Sequence, residues 1–216
     1  MSSNTSLRLS YSLLAPLYDR VVAKATATMR QRSLSAIKDF SLSQTILING
    51  IGSGLDLPYL PMEQQRKYFG LDLTANMLKR AKQRVVDLDC HLQIGNAMQL
   101  PYRSASFDVV ILHLILAVTP NPKQTLREAC RVLKPGGHVL IMDKFLRPGQ
   151  IAPLRRLFSP LIGLFATQTH IVWENILQAT QHQLQQESPA IRIQTLSDEP
   201  DLGGGWFRRI IIQRTH

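Results

Sequence analysis

Three glycines in five positions, Gly50, Gly52 and Gly54, follow directly on the aliphatic run Thr45-Ile46-Leu47-Ile48-Asn49. Glycine at that density belongs where a chain turns sharply and its backbone must come close to a ligand, since a side chain would restrict the turn and fill the space. An acid, Asp72, ends the next apolar run, 22 residues after Gly50. A strand, a glycine turn, a helix and a carboxylate at that separation make a nucleotide site, with the carboxylate accepting hydrogen bonds from ribose hydroxyls. His113 closes a later aliphatic run. A histidine there could take a proton from a nucleophile or orient a substrate, and it could equally be a hydrogen-bonded strand end. His91 and His138 begin strands elsewhere and read as structural.

The elements that must position these residues follow from periodicity. Short apolar runs alternate with amphipathic stretches between residues 44 and 143, the pattern of parallel βα units. Strands are expected at 45–50, 67–71, 90–94, 107–113 and 137–142, and helices at 75–85, capped by Thr74, and 122–133, stopped by Lys134-Pro135-Gly136-Gly137. A further helix is expected from Leu55, directly after the glycines. A Gln-rich helix near 172–187 precedes two strands, 190–196 and 206–214, with Gly203-Gly204-Gly205 between them. Two strands with no helix between them suggest an antiparallel hairpin at a sheet edge. The fold class is therefore α/β: a Rossmann-like, seven-stranded, mostly parallel sheet, helices on both faces, and a C-terminal antiparallel hairpin. One domain is expected over 1–216: a helical cap (1–43), a cofactor-binding core (44–143), a substrate lid or membrane-facing helices (144–188), and terminal strands (189–216).

Composition narrows the class. An apolar fraction of 44% and a charged fraction of 19% suit an ordinary globular chain. Cys90 and Cys130 lie forty residues apart without metal-like spacing, which suits a reducing cytoplasm, and no metal site is expected. The N-terminus lacks the pattern of a signal peptide. A formal charge of +10 favours polyanionic surfaces, whether nucleic acid or anionic headgroups. The longest apolar stretch, 157–166, is too short to span a bilayer and contains Pro160, so any membrane contact would be peripheral.

The turn reads G-x-G-x-G rather than the G-x-G-x-x-G of dinucleotide dehydrogenases, and with the terminal hairpin it favours S-adenosylmethionine over NAD. The segments LINGIGSG, YFGLDLTANMLKRAK, GNAMQLPYRSASFDVVI and ACRVLKPGGHVLIMD, in that order, resemble class I methyltransferases of the type 11 kind. The branch they most resemble holds the ubiquinone and menaquinone C-methyltransferases and the bacterial phosphatidylethanolamine N-methyltransferases. The resemblance implies that Gly50, Gly52 and Gly54 line the methionine and ribose portion of the cofactor and that Asp72 holds the ribose. Leu73 and Met77 would flank the adenine, Asn96 and Ala97 would meet its edge, and His113 would stand beside the reacting sulfonium. Two positions depart from the family pattern. Ile48 stands where the family carries an acid two residues before the first glycine, and the polar neighbour Asn49 points to the opposite face of the strand. Asn96 replaces an aspartate; its amide oxygen can accept from the adenine amine without charge assistance. A homologue that binds the cofactor without turnover is the other reading of these departures.

Methyl transfer from a sulfonium asks mainly for alignment and exclusion of water, and needs an acid or base only where the nucleophile carries a proton. The opening Tyr11-Ser12-Leu13-Leu14-Ala15-Pro16-Leu17-Tyr18-Asp19 resembles the start of the lipid and quinone branch, which folds helices over the cofactor. Tyr11 and Tyr18 would then close the site and hold a developing methylammonium by cation–π attraction, or serve as apolar anchors of a packed helix. Nucleic acid is disfavoured, because His113-Leu114-Ile115-Leu116 stands where base-amine methylases carry Asn/Asp-Pro-Pro-aromatic. Leu154, Leu157, Phe158, Leu161 and Phe165 share one helical face bordered by Arg155 and Arg156, which suits either a headgroup region or a packed lid. The segment 116–122 is similar to that of phosphatidylethanolamine N-methyltransferases. The acceptor expected is a small molecule or lipid, foremost a phosphatidylethanolamine-type amine and alternatively a quinone-precursor carbon. The expected location is the cytoplasm, at the inner face of the membrane.

Overall fold

The structure is a computed structural model that describes residues 23–40, 44–63, 65–146, 171–201 and 206–215. Tyr11, Tyr18, the amphipathic stretch 154–165 and the glycine run 203–205 lie outside these residues. Helix α1 occupies 23–35 and passes into a 3₁₀ turn, Ala36–Asp39. Then come β1 (Gln44–Asn49), β2 (Arg66–Asp72), α2 (Ala75–Lys82), β3 (Cys90–Ile94), β4 (Phe107–His113) and α3 (Pro122–Val132). The chain continues through β5 (Leu133–Lys144), α4 (Trp173–Glu187), β6 (Ile193–Pro200) and β7 (Phe207–Arg214).

The seven strands form one sheet in the order β3-β2-β1-β4-β5-β7-β6. The first five are parallel, and β7 enters antiparallel between β5 and β6. Between β1 and β2, and between β1 and β4, the crossovers run in opposite directions, so the crevice at the carboxyl end of β1 is the place where such sheets bind ligands.

Strand alternation divides the core in two. Leu47, Val110, Leu112, Val139 and Ile141 face one side, where Leu126, Ala129 and Cys130 of α3 and Trp173, Ile176 and Leu184 of α4 cover them. Ile46, Ile48, Val109, Ile111 and Leu140 face the other, under Leu34 of α1 and Leu78 and Ala81 of α2. Residues one apart on a strand point to opposite faces, and being covered on both explains the unbroken aliphatic runs.

Four expectations change. No α-helix starts at Leu55; the chain makes turns and one 3₁₀ turn, Leu57–Tyr59, because Pro58 can occupy only a first turn and Pro61 holds Leu60 extended (φ −73°, ψ 141°). Thr74 precedes α2 but its hydroxyl caps nothing there and donates instead to Asp72 Oδ1 at 3.0 Å. Strand β5 begins at Leu133 rather than 137, because the ladder with β4 restarts at Phe107↔Leu133 across an irregularity at Asp108, whose carboxylate holds Lys134 Nζ at 2.9 Å. Strand β6 runs Ile193–Pro200 rather than 190–196, extended by cross-strand ion pairs from Arg208 to Asp198 and from Arg209 to Glu199. Among the described residues no helix is long and apolar enough to cross a membrane.

Candidate active site

Strand β1 ends at Asn49, and the chain then turns through three glycines that all lie in the left-handed region: Gly50 at φ +81°, Gly52 at +56° and Gly54 at +82°. The Gly50 and Ile51 amides both donate to Leu71 O at 2.9 Å, fastening the turn to β2. A Cβ on Gly50 would lie 2.5 Å from Ile115 Cδ1, and one on Gly54 would lie 3.0 Å from the Ala81 backbone. Gly52 has open space in front of it.

That space is a cleft of about 1080 Å³, its open mouth included. It is lined by Gly50, Gly52, Asp72, Leu73, Met77, Asn96, Ala97 and His113, which brings together eight of the nine cofactor positions named from sequence. Gly54 does not line it; its role is the close approach of the turn to α2. Asp72 ends β2 with Oδ2 accepting from Gly52 N–H at 2.9 Å and Oδ1 accepting from the Thr74 amide and hydroxyl at 3.0 Å. Burial raises its carboxyl above the ordinary carboxylate range, and the hydrogen bonds from Thr74 and Gly52 oppose that rise. Met77 is buried at the start of α2. Asn96 follows β3, and its Oδ1 accepts from Met98 N–H at 2.9 Å, so the amide oxygen is already engaged in a local turn.

The other end of the cleft carries residues that no motif in the sequence marks. Arg30 of α1 and Asp56, two residues beyond Gly54, also line it and are 5% and 3% exposed. Arg30 Nη1 donates to Asp56 Oδ1 at 2.5 Å, and Arg30 Nε donates to Thr26 Oγ1 at 3.0 Å. His113 joins the same oxygen through Nδ1 at 2.7 Å, and its Nε2 lies 2.9 Å from Ser33 Oγ. Both ring nitrogens of His113 are thus hydrogen-bonded, one to the carboxylate and one to the serine hydroxyl. The ring is wholly enclosed, both nitrogens are engaged, and His113 meets the cleft at its backbone. Burial alone would raise the Asp56 carboxyl, but the Arg30 guanidinium and His113 ring outweigh it and hold the group well below the usual carboxylate range. Asp56 stands two residues past the turn, where a polar residue was visible, but nothing local marks Arg30 or Ser33 as its partners.

The wall beyond His113 is backbone under constraint. Leu114 has φ +56°, rare for a leucine, and its N–H donates to Met142 O at 2.8 Å. Ile115, Val118, Thr119 and Pro120 continue the wall. Asp143, at the end of β5, holds it from behind, accepting Ala117 N–H at 3.0 Å through Oδ2 and Lys144 N–H at 2.8 Å through Oδ1. Burial pushes its carboxyl up to about 6 against those hydrogen bonds.

A doubly covered sheet with a glycine turn, an acid ending β2 and a cleft across the carboxyl ends of β1, β2 and β4 is a Rossmann-like nucleotide-binding arrangement. Residues 47–141 match the family model described as a methyltransferase domain. Such a domain implies S-adenosylmethionine as the methyl donor.

The chain is similar to a phosphatidylethanolamine N-methyltransferase of Cereibacter sphaeroides, 23% identical over 203 residues, covering 92% of this chain and 93% of that one. It is also similar to a demethylmenaquinone methyltransferase of Listeria monocytogenes serotype 4a, 46% identical over 77 residues, or 34% of this chain. That match spans 32%, about a third, of the Listeria protein's length. Among solved structures, a SAM-dependent methyltransferase of Thermotoga maritima superposes with a TM-score of 0.65 at 18% identity, covering 97% of this chain and all of that one. At that identity the likeness speaks for the fold.

The residues present fit the donor. The space in front of Gly52 is open to a ligand, and the Asp72 carboxylate lines the same cleft with Oδ2 accepting from Gly52 N–H at 2.9 Å. Leu73, Met77 and Ala97 give apolar walls for a base.

Proposed function

We propose that this chain transfers a methyl group from S-adenosylmethionine to a small-molecule or lipid acceptor, foremost an amine of the phosphatidylethanolamine type. The observation that carries the donor half is the cleft that runs from Asp72 past the open face of Gly52 to His113. The acceptor half is supported by the end-to-end likeness to the Cereibacter enzyme, which includes the flanking segments as well as the cofactor core. A quinone-precursor ring carbon is the second reading, favoured by the higher identity to the Listeria enzyme over a shorter stretch.

When bound, S-adenosylmethionine supplies an electrophilic methyl on a good leaving group. The chain's task is then to hold, align and dry the reactants. Gly50 and Gly52 let the backbone approach the donor, Asp72 accepts from the ribose hydroxyls, and Leu73, Met77, Asn96 and Ala97 border the base. Gly54 acts by shaping the turn. His113, its ring enclosed, is a positioning residue that fixes α1 against the end of β4. An ammonium acceptor must lose its proton before attack, and Tyr11 and Tyr18, outside the described residues, remain our candidates for closing over it. We also place the chain in the cytoplasm against an anionic inner leaflet, on the strength of its +10 charge.

Vesicles containing phosphatidylethanolamine and a demethylated quinone extract, each incubated with methyl-labelled donor, test the reading. Label in the ethanolamine headgroup is expected. Label in the quinone alone would overturn the lipid reading, and donor binding without label in either would favour a binding protein without turnover.

A further inference from the structure

The family carries an acid two residues before its first glycine, and here Ile48 occupies that place, 1% exposed among Ile46, Val109 and Ile111. Asn49 does not replace it; its side chain points to the other face, donating weakly to Ala97 O at 3.4 Å. A buried acid does stand nearby. Leu57 and Leu34, chain neighbours of Asp56 and Ser33, pack in the same apolar cluster as Ile48, so the Arg30–Asp56–His113 group sits on the face of the sheet toward which residue 48 points.

The group is incomplete in a way that describes a ligand. Asp56 Oδ1 takes both the Arg30 and the His113 hydrogen bonds, while Oδ2 accepts none among the described residues. Arg30 uses Nε on Thr26 and Nη1 on Asp56, while Nη2 donates to none among them. Both residues line the cleft. Among the described residues, then, this ion pair keeps one carboxylate oxygen and one guanidinium nitrogen without a hydrogen bond, and their charges match the ammonium and carboxylate of an α-amino acid. Strand order gives the spacing. Asp72 ends β2 and His113 ends β4, on either side of β1, so the ribose end and this end of the cleft lie two strand spacings, or roughly 10 Å, apart. In the donor, sulfur and two methylenes separate the ribose carbon from the amino-acid carbon.

We propose that Asp56 and Arg30 are the amino-acid subsite of the donor in this chain, Asp56 Oδ2 accepting from the α-ammonium and Arg30 Nη2 donating to the α-carboxylate, in place of the acid missing at position 48. The proposal rests on the methyltransferase reading above. His113 and Ser33 are its positioning residues: they hold Asp56 Oδ1 so that Oδ2 faces the cleft.

Calorimetry on the whole chain separates the possibilities, with S-adenosylhomocysteine as the full ligand and methylthioadenosine as the ligand without an amino acid. Asp56→Asn is expected to weaken S-adenosylhomocysteine roughly 10- to 100-fold and methylthioadenosine by less than about twofold. An analogue lacking only the α-amino group is expected to bind wild type and Asp56→Asn alike. If Asp56→Asn alone does not fold, Arg30→Gln with Asp56→Asn removes both buried charges together, and the same selective loss is expected. Equal loss for both ligands would reduce the pair to a structural role, and no loss would remove it from the site; either overturns the proposal. Failure of wild type to bind either ligand would instead sink the donor reading itself.

Discussion

In the proposed donor site, the edge that would meet adenine turns on one amide. Asn96 Oδ1 already accepts from Met98 N–H and can offer a base only its remaining lone pair or the Nδ2 donor, whereas an aspartate would add a second, charged acceptor oxygen. Asn96→Asp is therefore expected to tighten S-adenosylhomocysteine roughly 3- to 10-fold, read by titration calorimetry. The glycine turn sets the opposite sign. Gly50→Ala must tolerate φ +81° and a Cβ 2.5 Å from Ile115 Cδ1, and it is expected to lower stability by about 1–3 kcal/mol and to weaken ligand binding at least tenfold. Gly136→Ala is the control: its φ is +79° but nothing lies within 4 Å, so only the backbone cost of about 1–2 kcal/mol is expected, with binding retained. Denaturant unfolding beside calorimetry separates the two. Residues whose role is local were legible in sequence, since a glycine turn and an acid at a strand end are encoded within a few positions. His113 was legible as a site residue, but its meeting with Arg30 and Asp56 was not, because that depends on how α1 packs against the end of β4.

Among the elements, the loop after β4 carries its own pH dependence. Asp143 is fully enclosed behind Ala117 and has its carboxyl raised by burial from 3.8 to about 6. Since proton binding favours the folded chain, this contribution is whole below about pH 4 and is lost as pH rises past about 6. The stability of wild type relative to Asp143→Asn should therefore be greater at pH 4.5 than at pH 7, by at most about 2–3 kcal/mol. Urea unfolding of both chains at the two pH values checks the sign; an unchanged difference would mean that Asp143 stays ionised throughout. Elements with strong periodicity, β4 and α4 above all, were readable to within a residue or two. The stretch after Gly54 was not, because its apolar spacing suits a helix while Pro58 and Pro61 forbid one. The start of β5 and the end of β6 were hidden as well, set by partners on neighbouring strands: Asp108 for Lys134, and Arg208 and Arg209 for the acids of β6.

At the scale of the molecule, one sheet serves two cores. Trp173 is 2% exposed and packs on Phe145 with ring centroids 5.6 Å apart, in the core covered by α3 and α4. Trp173→Ala is expected to cost about 3–5 kcal/mol in denaturant unfolding, yet to leave the ligand affinity of the folded fraction unchanged, since Trp173 does not line the cleft. The alternation that builds both cores was visible as a fold class, but which helix covers which face was not, because the aliphatic runs of β1, β4 and β5 look the same from either side.

The core under α3 also gives the molecule a built-in clock. Cys130 has no exposed surface and burial pushes its thiol up to about 12, whereas Cys90, at the start of β3, is half-buried. A thiol reagent can reach Cys130 only when α3 lifts from the sheet, so the slower of two labelling phases counts those openings. A ligand that binds only the closed form slows that phase by the factor its concentration and affinity dictate, which turns one native sulfur into a meter of ligand occupancy.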